Sequence, residues 1–229
     1  MKARFGVLPL SVSGLLLVAA SASAEPLAAH QAHVQASLGV RVSKVSDAGY
    51  DPFSDSDDLV QVSLGLGGTL LRHGRLSLAA VGFWDYGQKS STARGSDTSL
   101  GVHRLTVGPE LRYHVLPPLY FFVHALPAFA HSSASIEDAV AQVPRYARHW
   151  SYGVEGAAGA AYEVYAARNA DSLRPRLWLV AEGGYGYLGS TPLEMSADDG
   201  QGPQRPAPVD LGSLSLAGPY LRVSAAVGF

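Results

Sequence analysis

From Val34 onward the chain alternates between apolar residues and polar residues or glycine. Val34, Ala36, Leu38, Val40 and Val42 form one side of the first such run. His33, Gln35, Ser37, Gly39, Arg41 and Ser43 form the other. Successive side chains of an extended strand point to opposite faces, so a period of two predicts a strand with one apolar side. No stretch beyond Glu25 sustains a helical spacing.

The pattern recurs seven more times. Its apolar faces run through Val60–Leu66, Leu76–Tyr86, Leu105–Val115, Leu119–Phe129, Trp150–Val164, Leu177–Tyr187 and Leu221–Phe229. Several runs exceed the roughly five or six residues of an ordinary globular strand. Leu100 and Val102 are out of phase with Leu105, which predicts a bulge near His103 and Arg104. Leu214 and Leu216 are out of phase with Leu221, which predicts another. The connections alternate in length. Those near 72–75, 116–118 and 166–173 are short, and those at 46–58, 87–97, 131–148 and 189–213 are longer. Antiparallel neighbours with short turns on one side and long loops on the other describe an up-and-down sheet closed on itself.

A period of two permits two barrels. A soluble ligand-binding barrel turns its apolar face inward; a membrane barrel turns it outward. The polar face here is rich in Gly, Ser and Ala with single charges, which suits a narrow, filled lumen better than a water-facing surface. Lysine occurs only at positions 2, 44 and 89. On the apolar face, aromatic residues cluster at two levels. Trp84, Tyr86, Phe129, Trp150, Tyr152, Tyr185 and Tyr187 lie toward the long loops, and Tyr113, Tyr162 and Phe229 lie toward the short turns. Amphipathic rings collect at this pair of levels where a barrel crosses two headgroup layers. Charge is 16% of the chain against about 25% in soluble domains. A membrane band that excludes charge accounts for that deficit, and the first long loop holds Asp47, Asp51, Asp55, Asp57 and Asp58. The expected fold is therefore all-β, an eight-stranded antiparallel up-and-down transmembrane β-barrel over residues 25–229.

The N-terminus reads as a leader. Lys2 and Arg4 precede an apolar run from Val7 to Ala20, and Ala22-Ser23-Ala24 is a small-x-small cleavage site. Residues 1–24 are expected to be a cleaved signal peptide, which sends the remainder across the inner membrane. The absence of cysteine excludes a disulfide scaffold and any thiolate-ligated metal. A net charge of −2 leaves no basic footprint for nucleic acid.

The C-terminal run Pro219-Tyr220-Leu221-Arg222-Val223-Ser224-Ala225-Ala226-Val227-Gly228-Phe229 resembles the terminal strand of bacterial outer-membrane proteins. Gly108-Pro109-Glu110-Leu111-Arg112-Tyr113 resembles a middle strand of the same barrel domain. The likeness is to the eight-stranded OmpA and OmpX type. It implies a Gram-negative outer-membrane protein in contact with lipid and lipopolysaccharide. It also implies delivery to the barrel-assembly machinery through the strand ending at Phe229. A monomer without cofactor or metal is expected.

The lumen-facing parity carries Arg41, Asp85, Glu110, Arg112, Glu155, Glu163, Arg176, Glu182 and Arg222, with His124 near Glu110. Unpaired buried charges are costly, so these groups are expected to pair. They would form a structural plug or, alternatively, line a narrow ion or water path. His131 and Ser133 continue the lipid-facing parity of the fifth strand. An outward His-x-Ser resembles the lipid A deacylase barrels, and Glu137 or Asp138 could orient the base. The Asn that follows the Ser in that family is missing here. No metal-ligand spacing and no phosphate-binding glycine loop is present. A non-enzymatic barrel acting structurally or through its loops is the expected function.

Overall fold

The computed structural model describes residues 34–93, 95–138, 144–166, 175–197 and 208–229. The expected signal peptide, 1–24, lies outside them. The described strands are β1 (Val34–Lys44), β2 (Asp58–His73), β3 (Leu76–Ala93), β4 (Ser96–Leu116) and β5 (Leu119–Asp138). They continue with β6 (Pro144–Ala166), β7 (Arg176–Leu188), β8 (Thr191–Ala197), β9 (Val209–Leu214) and β10 (Gly218–Gly228). A single 3-10 turn, Asp51–Phe53, sits between β1 and β2, with Pro52 in its first turn.

Each strand from β1 to β6 pairs antiparallel with the next, β7 pairs with β10, and β10 returns to β1. Eight strands thus close a ring with no open edge. Arg41 faces Arg222 and Val42 faces Leu221 across the closing seam. The two remaining strands lie at the long-loop end. There β8 pairs with β9 and joins the top of β6 through Arg145 and Tyr146. No described helix is long and apolar enough to cross a membrane.

Exposure follows parity. Leu38, Val62, Leu64, Leu105, Val107, Val123, Val154, Leu179, Leu221 and Val223 are all exposed on the outer surface. The charged and small residues of the opposite parity are buried inside. The apolar face is therefore outside, which excludes the soluble ligand-binding alternative.

The loop and bulge expectations need correction. β3 and β4 remain paired from Leu76 opposite Tyr113 up to Ala93 opposite Ser96, so most of 87–97 is a hairpin turning at Gly95, whose φ is +81°. β5 runs on to Asp138 and β6 resumes at Pro144, so most of 131–148 is also strand. Membrane-spanning strands need only about 9–11 residues. β4, β5 and β6 have 21, 20 and 23, and the excess projects past the long-loop end. Neither face meets lipid there, so the apolar alternation stops while the hydrogen-bonded ladder continues.

The bulge expected near His103 and Arg104 is absent, because the β3–β4 register is unbroken. Leu100 and Val102 simply point inward. Leu214 and Leu216 do the same, where 215–217 separate β9 from β10. Within the eight-strand ring the register shifts lie near the short turns, at Thr69/Leu71, His114/Leu116 and Glu163/Tyr165, and one more, at Pro192/Glu194, lies in the β8–β9 hairpin.

Val107 is exposed on the outer face of β4, between Tyr113 below and His103 above. A cation at such a depth costs about 2–4 kcal/mol in a membrane barrel. Val107→Arg should lower unfolding stability in phosphatidylcholine vesicles by that amount in a urea titration. A loss below about 0.5 kcal/mol would place Val107 in water.

Candidate functional site

The inward face is filled in three layers. The middle layer is ionic, and cross-strand register assembles it. Arg222 on β10 stands opposite Glu182 on β7, and its Nη1 donates to Glu182 Oε1 at 2.6 Å. Its Nη2 donates to Asp85 Oδ2 at 2.9 Å. Arg41 Nη1 lies 2.7 Å from Glu155 Oε2 and 3.1 Å from Asp85 Oδ2. Arg104 Nη1 reaches Glu155 Oε2 at 3.4 Å. Arg41 and Arg222 face each other across the seam with like charge, and Asp85 bridges them. Three guanidinium groups meet three carboxylates, all of them buried.

Aromatic faces complete this layer. The Arg41 guanidinium lies 3.7 Å from the Tyr220 ring centroid, and that of Arg222 lies 4.1 Å from the Phe83 ring. A cation over a ring gains from the ring's negative face where water is excluded. Glycine makes the room. A Cβ at Gly184 would come within 2.8 Å of the Tyr220 ring, and one at Gly65 within 2.9 Å of Phe83.

The lower layer holds Glu110, Arg112 and His124. Arg112 Nε donates to Glu110 Oε1 at 2.7 Å, and His124 Nδ1 lies 3.2 Å from Glu110 Oε2. Tyr120, Phe122, Trp178 and Ala226 pack beneath, toward the short turns. Glu163 and Arg176 pair at 3.3 Å near that rim. A cavity of about 40 Å³ remains between Glu110, Arg112, Tyr120 and Glu182. At roughly 10–15 Å³ per water it has room for about three.

The upper layer is apolar. Val45, Tyr50, Phe53 and Leu59 come from the first loop and the start of β2. They pack on Leu100, Val102, Ala130, Leu188, Leu193, Met195, Leu214 and Leu216. Tyr50 and Phe53 thus anchor the Asp-rich loop in the barrel mouth, while Asp51, Asp55, Asp57 and Asp58 stay exposed. Asp47 Oδ1 accepts from Gly49 N at 2.9 Å, and Thr98 Oγ1 donates to Pro52 O at 2.6 Å. Burial, reinforced by Asp58 and Asp57 against a weaker opposing effect of Ser54, raises the Tyr50 hydroxyl above its ordinary pKa. It remains a neutral donor, to Asp58 O at 3.2 Å.

The fold is an eight-stranded antiparallel up-and-down β-barrel of the transmembrane kind. Two observations decide it: the strand ring is closed, and it is apolar without and ionic within. No family model and no curated protein matches the chain. Among solved structures the barrel is similar to Ail, the attachment invasion locus protein of Yersinia pestis, in complex with the heparin analogue sucrose octasulfate. Identity is 11%, 86% of this chain and 97% of that one are covered, and the TM-score is 0.49. It is also similar to the neisserial surface protein NspA, at 15% identity, with 86% and 97% covered and a TM-score of 0.44.

All the lumen charges named from the sequence are inward, and Arg41, Asp85, Glu155, Glu182 and Arg222 form one cluster. Glu110 and Arg112 form a second. Arg104 joins the first and was missed, because the expected bulge removed it from the inward parity. Phe83, Trp178 and Tyr220 also face inward, on the parity of the lumen charges of their strands, and so do Tyr120 and Phe122, on the parity of His124; the apolar alternation alone does not mark them. The ten aromatic residues expected in two girdles all lie on the outer parity, with Tyr86 and Phe129 only half-buried.

His131 and Ser133 point outward as expected. Among the described residues no hydrogen bond joins them, and none joins His131 to Glu137; the Asp138 side chain lies outside the described residues. His131 instead packs on Trp150, with ring centroids 4.9 Å apart. His124, Glu155 and Glu182 bring three ligand atoms within 4.8 Å of one another. A divalent cation there would stand against Arg222 and Arg41, whose guanidiniums already hold those carboxylates.

Removing one member of a buried ion pair typically costs about 3–5 kcal/mol, against less than about 1 kcal/mol for an exposed pair. Glu155→Gln leaves three guanidiniums with two carboxylates, takes from Arg104 the carboxylate it reaches, and should lose stability in the first range. Lys44→Ala breaks the exposed contact to Asp57 and should stay in the second. Urea titration of refolded protein in vesicles compares them; equal losses would deny the lumen cluster its structural weight.

Proposed function

We propose that the protein is an exported outer-membrane barrel whose lumen is a structural plug and whose function resides on its extracellular surface. The observation that carries this reading is the stacking of an apolar cap on an ion-pair layer inside one narrow ring. An eight-stranded barrel has an interior that side chains just fill. Here the ionic layer has no excess charge to attract an ion, and loop residues cover it from above. Conduction would require moving the cap and breaking buried pairs. An enzyme would need an activated nucleophile, and Ser133 has no base in hydrogen-bond contact among the described residues.

In this reading residues 1–24 are removed on export, and the strand ending at Phe229 is read by the assembly machinery. The aromatic residues mark the headgroup levels. Trp84, Tyr86, Phe129, Trp150, Tyr152, Tyr185 and Tyr187 lie at the outer leaflet, and Tyr113, Tyr162 and Phe229 at the inner. Lipopolysaccharide then surrounds the upper wall. The extended β3–β6 wall and the β8–β9 hairpin stand above it as the surface offered to other molecules.

Two measurements test this. The chain has no cysteine, so single cysteines report topology. Ser90→Cys, near the β3–β4 tip, should react with a membrane-impermeant maleimide on intact cells, and Arg75→Cys, at a short turn, should not. The reverse labelling pattern would invert the barrel. In planar bilayers the purified protein should give no discrete conductance steps; regular steps would overturn the plug.

A further inference from the structure

The β4–β5 seam is interrupted between the two aromatic rows. Its ladder runs down to Thr106 opposite Ala128 and resumes at Glu110 opposite His124. Between these points Val107, Gly108 and Pro109 form no pair with Ala125, Leu126 and Pro127. Among the described residues no other seam of the ring skips more than one residue between its paired ends. The register on either side would set Val107 against Pro127 and Pro109 against Ala125. Proline has no N–H to give. β4 stays paired with β3 at Pro109 and Ala80, and β5 with β6 at Pro127 and Val154. The missing donors therefore fall on the β4–β5 side. Proline is ordinarily confined to sheet edges and bulges, and unpaired backbone is costly in hydrocarbon.

An apolar patch lies behind this window. Gly108 and Leu126 face inward across it, and a Cβ at Gly108 would come 3.0 Å from Leu126 Cδ2. Leu126 is fully buried and clusters with Ala79, Val81 and Phe83. The cavity of about 40 Å³ adjoins the cluster, with Val81, Phe83 and Glu110 in its lining. On the lipid side Val107, Pro109, Ala125 and Pro127 are exposed. Apolar outer wall, unpaired backbone and apolar inner patch thus lie in line between hydrocarbon and cavity. Any other stretch of wall must break ladder bonds to part; here side-chain movement suffices.

We propose that the β4–β5 window is a lateral port through which the end of a lipid acyl chain enters the lumen when Leu126 swings aside. The inference rests on the membrane reading but goes beyond the plug, which blocks passage along the barrel axis. Depth selects the occupant. Pro127 lies two residues below Phe129, and Pro109 four residues above Tyr113, so the window faces acyl chains and neither headgroups nor water. The lining selects the same partner, because Val81, Phe83 and Leu126 offer contact to methylene groups and no hydrogen bond to a polar ligand. The cavity admits only the tip of a chain, so the rest of the lipid stays outside.

The test uses the full chain folded in phosphatidylcholine vesicles that carry a phospholipid with a photoactivatable diazirine at the end of one acyl chain. Illumination, digestion and mass spectrometry locate the adducts. Outward Val223 should be labelled, and so should inward Val81 and Phe83 behind the window. Inward Ala226, behind the continuous β1–β10 seam, should not. Adducts confined to outward residues would overturn the port, and equal labelling of Ala226 would overturn the window as its place. Pro109→Val together with Pro127→Val supplies both N–H groups. It should cut labelling of Val81 and Phe83 at least about tenfold, as expected of two hydrogen bonds of ordinary net strength, and leave Val223 unchanged. Unaltered labelling of Val81 and Phe83 in that variant would overturn the seam as the route. Leu126→Ala removes the stopper and should raise the same labelling; no rise would overturn its role. Failure of the membrane reading would appear separately, as a protein that stays folded and soluble without detergent and leaves Val223 unlabelled.

Discussion

Backbone N–H and C=O groups at membrane depth have no water to bond, so every one must find a partner within the protein. For strands this demands a closed ring, and the β1–β10 seam provides the closure. The other features of the barrel follow from it. Once the ring is closed, the residues of one parity face hydrocarbon and the residues of the other face each other across a narrow interior. The outer wall must then be apolar, and any inward charge must find its counter-charge inside.

The interior meets that second demand by register. Pairing places Glu182 beside Arg222 and Glu110 beside His124, while Asp85 and Glu155 reach across the lumen to guanidiniums on other strands. Glycines allow the Tyr220 and Phe83 rings to lie flat beneath those guanidiniums. Above the membrane the constraint relaxes. The strands continue as a water-exposed wall, and the first loop with β8 and β9 encloses an apolar core of the soluble kind. One chain therefore uses two packing rules, inverted at the membrane and ordinary above it.

That boundary explains what could be read from the sequence. Wherever lipid meets one face, the alternation is sharp, so eight strands, their parity and every inward charge on the expected list were legible. Above the belt the outer face is Ser, Gln, His and Thr, as in Gln88, Ser90, Thr92, Ser133 and Ser135. The signal there fades although pairing persists, and two hairpins resembled loops. Leu100, Val102, Leu214 and Leu216 are misleading for the same reason: apolar residues point inward there, to the cap, and their changed phase imitates a bulge. The acidic first loop gave no sign that Tyr50 and Phe53 anchor it in the barrel mouth. That contact joins residues far apart in the chain and leaves no local pattern.

The central claim is that the barrel is apolar outside and ionic inside, and its three tryptophans report on it. Trp84 and Trp150 are exposed on the outer wall, while Trp178 is 2% exposed inside the lower lumen. Single-tryptophan variants can be made by replacing the other two with Phe and folded into vesicles of brominated phospholipid. Trp84 and Trp150 should be strongly quenched, and Trp178 should keep the emission it has in unbrominated lipid. Quenching of Trp178 with Trp84 and Trp150 unaffected would mean that the faces are reversed.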